Sequence, residues 1–121
     1  IQRAVLDGFG GRIGGWKCAA PPGKPTSGAM LDARGIKPSP ATWPVPPGER
    51  IGIETEIAFR LGRDLPSRGA PYSREEVLDA VAACFPAVEL VASRYLDPAA
   101  QPPLSAMADS MAHAGLVIGT D

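Results

Sequence analysis

The sequence predicts an α+β fold that is mainly β. Three observations point there. Fourteen glycines and fourteen prolines in 121 residues demand many turns and disfavour a helical bundle. The stretch from Ile51 to Gly62 alternates with the two-residue period of a strand. Helical signals are confined to short stretches bounded by glycine, proline or a capping residue. At this length the chain can build one small domain around one core, and its apolar share of 45% is normal for a globular protein.

Taken in order, "IQRAVLDG" (Ile1 to Gly8) is the end of a helix closed by Gly8. "RIGGWKCA" (Arg12 to Ala20) is a strand with a Gly-Gly bend. "APPGKPTSG" (Ala20 to Gly28) is a loop, and "AMLDA" (Ala29 to Ala33) a short extended piece. The proline-rich stretch Gly35 to Arg50 is expected to lie ordered on the surface, because Ile36, Trp43 and Val45 need cover. Ile51 to Gly62 follows as a half-buried strand. One face carries Ile51, Ile53, Thr55, Ile57, Phe59 and Leu61, and the other carries Gly52, Glu54, Glu56, Ala58 and Arg60. Ser73 and Glu76 form a capping box that opens a helix to about Cys84, ended by Pro86. Ala87 to Tyr95 is expected as a strand, Leu104 to Ala114 as a helix, and Gly115 to Gly119 as a short buried strand.

The formal net charge of -1 gives no electrostatic case for nucleic acid or an anionic membrane surface. No apolar run is long enough to span a bilayer, and no signal-peptide pattern is visible, so a cytoplasmic protein is expected. Cys18 and Cys84 lack metal-type spacing and are expected as buried free thiols.

The residues that can carry chemistry are mostly acids on strands. Glu54 and Glu56 share a face, where their charges repel. Glu89 sits among Ala87, Val88, Leu90 and Val91, where a charge is costly unless paired or bound to metal. A hard divalent cation such as Mg²⁺ takes oxygen ligands and would relieve the repulsion. The plainer arrangement has Glu54 and Glu56 facing water and Glu89 paired with Arg60 or Arg94, and spacing alone favours it. Lys17, in "GGWKCA", can hold a substrate carboxylate, transfer a proton, or simply be solvated. Asp32, in "MLDA", is a turn former or a catalytic acid or base. His113, the only histidine, falls near a predicted helix end, where contact with the dipole explains it. One histidine and no GxSxG argue against a Ser-His-Asp hydrolase, and no GxGxxG or P-loop pattern occurs.

The ordered motifs "GGWKCA", "SGAMLD", "IETEIAFRLGRDLP", "YSREEVLDAV", "PAVELVASRY" and "MADSMAHAGLVIG" resemble the fumarylacetoacetate hydrolase superfamily. Within it they resemble the branch of 2-keto-4-pentenoate and 2-oxo-hept-ene-dioate hydratases. The resemblance covers nearly the whole chain and implies a mixed β-sandwich roll. Family members are longer, so residues 1–121 would form a single but partial catalytic domain. It also implies that Glu54, Glu56 and Glu89 bind Mg²⁺ or Mn²⁺, and that Lys17 and Asp32 act in proton transfer, Lys17 alternatively as a charge partner for the substrate carboxylate. The implied substrate is a small 2-oxo acid. The implied reaction is hydration of a 2-oxo-alkenoate, such as 2-hydroxypenta-2,4-dienoate, in aromatic catabolism. Sister reactions on the same site are decarboxylation of a 2-oxo-dioate and C–C hydrolysis of an acylpyruvate. The absence of H-x-x-E in this sequence counts against hydrolysis. The family also implies a homo-oligomer and admits a decarboxylase partner, so a non-catalytic partner subunit is a further alternative.

Besides a shortened loop between Lys17 and Asp32, the sequence departs from the family pattern at two places. Ala92 replaces the acid in "DSR", and Ser110 replaces Asn in "ADN", with His113 close by. Both changes bear on the substrate pocket and leave the three acids in place.

Overall fold

A computed structural model of the protein describes residues 1–19, 22–23 and 27–120. In chain order the elements are α1 (Gln2–Gly8), β1 (Ile13–Ala19), β2 (Ser27–Asp32), β3 (Ile36–Pro38), β4 (Gly52–Leu61), α2 (Arg74–Leu78), β5 (Val81–Val91), α3 (Pro103–Ala108) and β6 (His113–Ile118). Short 3₁₀ turns at Ala33–Gly35 and Ser110–Ala112 connect β2 to β3 and α3 to β6. The expected α+β, mainly β fold is the fold observed. The loop expected over Ala20 to Gly28 falls largely outside the described residues, and its last two residues already belong to β2.

Two sheets form the architecture. β1 and β2 make an antiparallel hairpin, with Lys17 opposite Ala29. The other four strands form a mixed sheet in the order β3-β6-β5-β4, in which β3 runs parallel to β6. Side-chain alternation explains how the sheets meet. Ala29 and Leu31 of β2 are buried, and so are Phe85, Ala87 and Glu89 of β5, with Leu6 of α1 completing this small core. Lys17 reaches across to Glu89, so the inward face of the hairpin lies against the Glu89 face of the larger sheet. On the opposite face Trp43 lies directly over Gly115, where no Cβ would fit. Lys37 stacks on the same ring, 4.3 Å from its centroid. Of the proline-rich stretch, Trp43 thus lies on the sheet as expected, whereas Val45 remains exposed.

Five expectations are corrected. Ser73 does cap α2, with both capping-box hydrogen bonds present, but the helix ends at Leu78. Residues Val81 to Cys84 pair instead with Leu61 to Phe59 of β4, so long-range pairing overrides local propensity. Pro86 does not end a helix; it lies inside β5. Its carbonyl accepts from Gly119 N at 2.8 Å, just beyond the last β6 residue that pairs with β5. Its missing N–H thus faces the side where the neighbouring strand has stopped, a position proline tolerates.

The helix expected to Ala114 stops at Ala108, and β6 begins at His113. Ser110, Met111 and Ala112 between them all have positive φ, at 51°, 57° and 63°. For L-residues this conformation costs about 1–2 kcal/mol each, so the surroundings must hold it.

Cys18 and Cys84 are both exposed rather than buried. Cys84 shares a sheet face with its cross-strand neighbour Phe59, which is itself 59% exposed. The apolar face of β4 is not half-buried in this chain either, since Ile53 and Ile57 are 70% and 71% exposed at the sheet edge. Among the described residues, no helix is long and apolar enough to cross a membrane.

Candidate metal centre

The site is built on the register of two strands. Glu54 of β4 stands directly opposite Glu89 of β5, and Glu56 stands opposite Ala87. Alternation puts all three acids on the face that meets the hairpin. Each of Glu54, Glu56 and Glu89 offers a carboxylate oxygen within 4.8 Å of the others. Glu89 is only 2% exposed, whereas Glu54 and Glu56 reach solvent. The cluster therefore has one buried anchor and two accessible arms.

Lys17 arrives from the other sheet. Its Nζ lies 2.8 Å from Glu89 Oε2 and 3.5 Å from Glu54 Oε2. Partial burial would lower its pKa, but the hydrogen bond and charge of Glu89, joined by Glu54, outweigh that and hold it above the ordinary lysine value. Lys17 is thus an ammonium group at neutral pH. Three carboxylates against one ammonium leave two formal negative charges in the cluster, which suits a divalent cation. An all-oxygen donor set on rigid strands is the chemistry of a hard ion such as Mg²⁺ or Mn²⁺ rather than a thiophilic one.

His113 supplies the other oxygen's partner. Its Nδ1 lies 3.0 Å from Glu89 Oε1, and both side chains are buried. Among the described residues, its buried Nε2 has no hydrogen-bond partner. The dipole role expected for His113 is therefore replaced by direct contact with the cluster. The contact itself depends on a strand irregularity that sequence does not show.

Of the expected site residues, the structure brings Lys17, Glu54, Glu56 and Glu89 together. It engages Asp32 elsewhere. Asp32 caps the first 3₁₀ turn by accepting from Arg34 N, and its carboxylate also accepts from Arg34 Nε at 2.8 Å and from Nη2. Hydrogen bonding by Arg34 lowers its pKa and keeps it ionised. Asp32 lines a cleft of about 420 Å³ whose wall also includes Leu6, Tyr95 and His113. His113 is thus the residue shared by the cleft and the carboxylates. The alternative partner Arg94 is unavailable to Glu89 as an ion pair: its Nε donates to Asp109 Oδ1 at 2.5 Å and its Nη1 to the His113 carbonyl at 2.8 Å. Arg60 stands opposite Ala83, well along β4 from the Glu54–Glu89 pair.

The sequence matches no known family profile and no curated protein. Among solved structures the fold is similar to 4-oxalocrotonate decarboxylase from Pseudomonas putida G7, complexed with magnesium and adipate, with a TM-score of 0.71. The two chains are 20% identical over 97% of this chain and 46% of the decarboxylase chain. At that identity the likeness is one of fold, and this chain spans less than half of its structural neighbour. It agrees with the fold that the motifs imply and does not select the hydratase branch.

Proposed function

We propose that the chain is part of a Mg²⁺-dependent lyase acting on a small 2-oxo acid, with hydration of a 2-oxo-alkenoate as its reaction. The observation that carries this reading is the cluster of Glu54, Glu56 and Glu89 beside the ammonium of Lys17. Magnesium in the similarly folded decarboxylase supports the choice of ion.

In this reading the three glutamates hold the ion, and the ion when bound supplies positive charge against the negative charge that develops on the 2-oxo oxygen. Lys17 carries a proton at Nζ beside the cluster, placed either to pair with the substrate carboxylate or to deliver that proton to carbon. Asp32 lines the adjoining cleft as the second proton-transfer group, and Arg34 keeps it ionised while lowering its basicity. Ala87, next to Glu89 on the same face of β5, and Ala29, opposite Lys17, are both buried and keep bulk water from the Glu89 side.

A second reading is decarboxylation of a 2-oxo-dioate on the same residues. The activity of the structural neighbour, and its complex with the dicarboxylate adipate, favour it. Both readings are tested by offering the full-length protein 2-hydroxypenta-2,4-dienoate and 4-oxalocrotonate with Mg²⁺. Formation of 4-hydroxy-2-oxopentanoate, lost in Glu56→Gln, supports hydration. Release of CO₂ supports decarboxylation. No metal-dependent turnover of either compound would sink both.

A further inference from the structure

We propose that His113 is a positioning residue for Glu89, donating from Nδ1–H to Glu89 Oε1 and fixing the rotation of that carboxylate for the cation. This rests on the metal-site reading above. The argument begins with register. In β5 and β6, Leu90 pairs with Gly115, but Val91 pairs with His113, so Ala114 is the extra residue of a bulge. A bulge re-aims the side chains that follow it. Without it Ala114 would stand opposite Val91, and alternation would send the His113 side chain to the far face. With it, His113 falls on the face of Glu89.

The approach to the bulge is held by a dedicated set of contacts. Ser93 Oγ donates to Asp109 Oδ2 at 2.8 Å, and Arg94 donates to the Asp109 carboxylate, the Asp109 carbonyl and the His113 carbonyl. Ala92 N donates to Ala112 O at 2.9 Å. These bonds retain the three left-handed residues before His113. A strained backbone held so firmly delivers one side chain to one place, and that place is Glu89.

Hydrogen bonding selects the tautomer. Glu89 is engaged on both oxygens, by Lys17 at Oε2 and His113 at Oε1. With the proton on Nδ1, the buried and unpartnered Nε2 is a bare acceptor rather than a stranded N–H. Partners that orient a ligating carboxylate in this way typically govern metal affinity about 10–100-fold.

The test compares Mn²⁺ binding by calorimetry in full-length wild type, His113→Leu, His113→Asn and His113→Gln, with circular dichroism to confirm folding. The Asn amide nitrogen overlays Nδ1, whereas the Gln amide nitrogen overlays Nε2. We expect affinity to fall about 10–100-fold in the Leu and Gln variants and to recover in the Asn variant. Imidazole ¹⁵N shifts of metal-free wild type and Glu89→Gln give a second readout, expected to show a protonated Nδ1 whose shift depends on Glu89. Wild-type binding that the folded Leu or Gln variant matches overturns this inference and leaves the metal reading standing. Equal affinities in the Asn and Gln variants, or a proton on Nε2, also overturn it alone. No Mn²⁺ binding by wild type overturns the metal reading itself, and the positioning role with it.

Discussion

Lys17 sets its ammonium 2.8 Å from Glu89, although the two residues belong to different sheets. One lysine thus joins the hairpin to the four-stranded sheet at the point where Glu54 and Glu89 face each other. Replacing Lys17 by Met leaves Glu89 with His113 as its remaining partner. In metal-free full-length protein this should cost about 1–3 kcal/mol, below the penalty for breaking a fully buried ion pair, because Lys17 is partly exposed and His113 stays on Glu89. Urea unfolding with and without Mn²⁺ checks it. The ion should narrow the gap between variant and wild type, because loss of the ammonium leaves the cluster more negative and tightens cation binding to the folded variant. An equal gap in both conditions would mean that Lys17 has no electrostatic role in the cluster.

Glu56→Gln should separate stability from binding. It removes one of three mutually repelling carboxylates on an exposed arm of the site. Metal-free stability should rise slightly, by about 0.3 kcal/mol. Mn²⁺ affinity should fall. Calorimetry and urea midpoints on the same preparation give both signs, and a loss of stability without loss of affinity would assign Glu56 to structure alone.

Glu76 gives a pH dependence of defined direction. Hydrogen bonds from Arg68 and from the Ser73 backbone hold its pKa near about 2, below its ordinary value of 4.5. Because the folded pKa is the lower one, its contribution is complete above pH 4.5 and is lost as pH falls towards 2. Glu76→Gln keeps a residue able to complete the capping box but removes the charge. Its urea midpoint should lie below wild type at pH 7, and the difference should close as pH approaches 2. A difference that does not change with pH would show that the ion pair with Arg68 contributes nothing.

Gly115→Ala should destabilise by about 1–3 kcal/mol, since the added methyl meets the Trp43 ring. Trp43→Ala in the same chain should remove most of that penalty. A thermal-melt double-mutant cycle measures the coupling, and additive effects would mean that Trp43 does not rest on the sheet.

Strand β4 was legible because its alternation runs unbroken from Ile51 to Leu61, and the three acids were legible because charges on strands need an explanation. The capping box was legible because it is local, and Ser73 and Glu76 do form it. What followed each of these was not legible. Nothing local announces that Val81 to Cys84 will pair with a strand twenty residues earlier, or that Pro86 sits just past the end of β6. His113 was misread for the same reason. Its environment is made by a bulge and by Arg94, nineteen residues before it. The burial of Cys84 and the apolar face of β4 failed because alternation tells which residues share a face, but not whether anything lies against it.

The facing pair Glu54–Glu89 also bears on how the chain finds its strand alignment. Two like charges directly opposite disfavour their own register. A slip of two residues that set Gly52 against Glu89 would keep every side chain on its proper face and relieve that opposition, whereas the reverse slip would set Glu56 against Glu89. Strands β4 and β5 by themselves therefore carry a penalty in their native alignment, which Lys17 offsets when it arrives with the β1–β2 hairpin. Docking of the hairpin then also reinforces the alignment of the sheet, and a divalent ion present during refolding would act in the same direction.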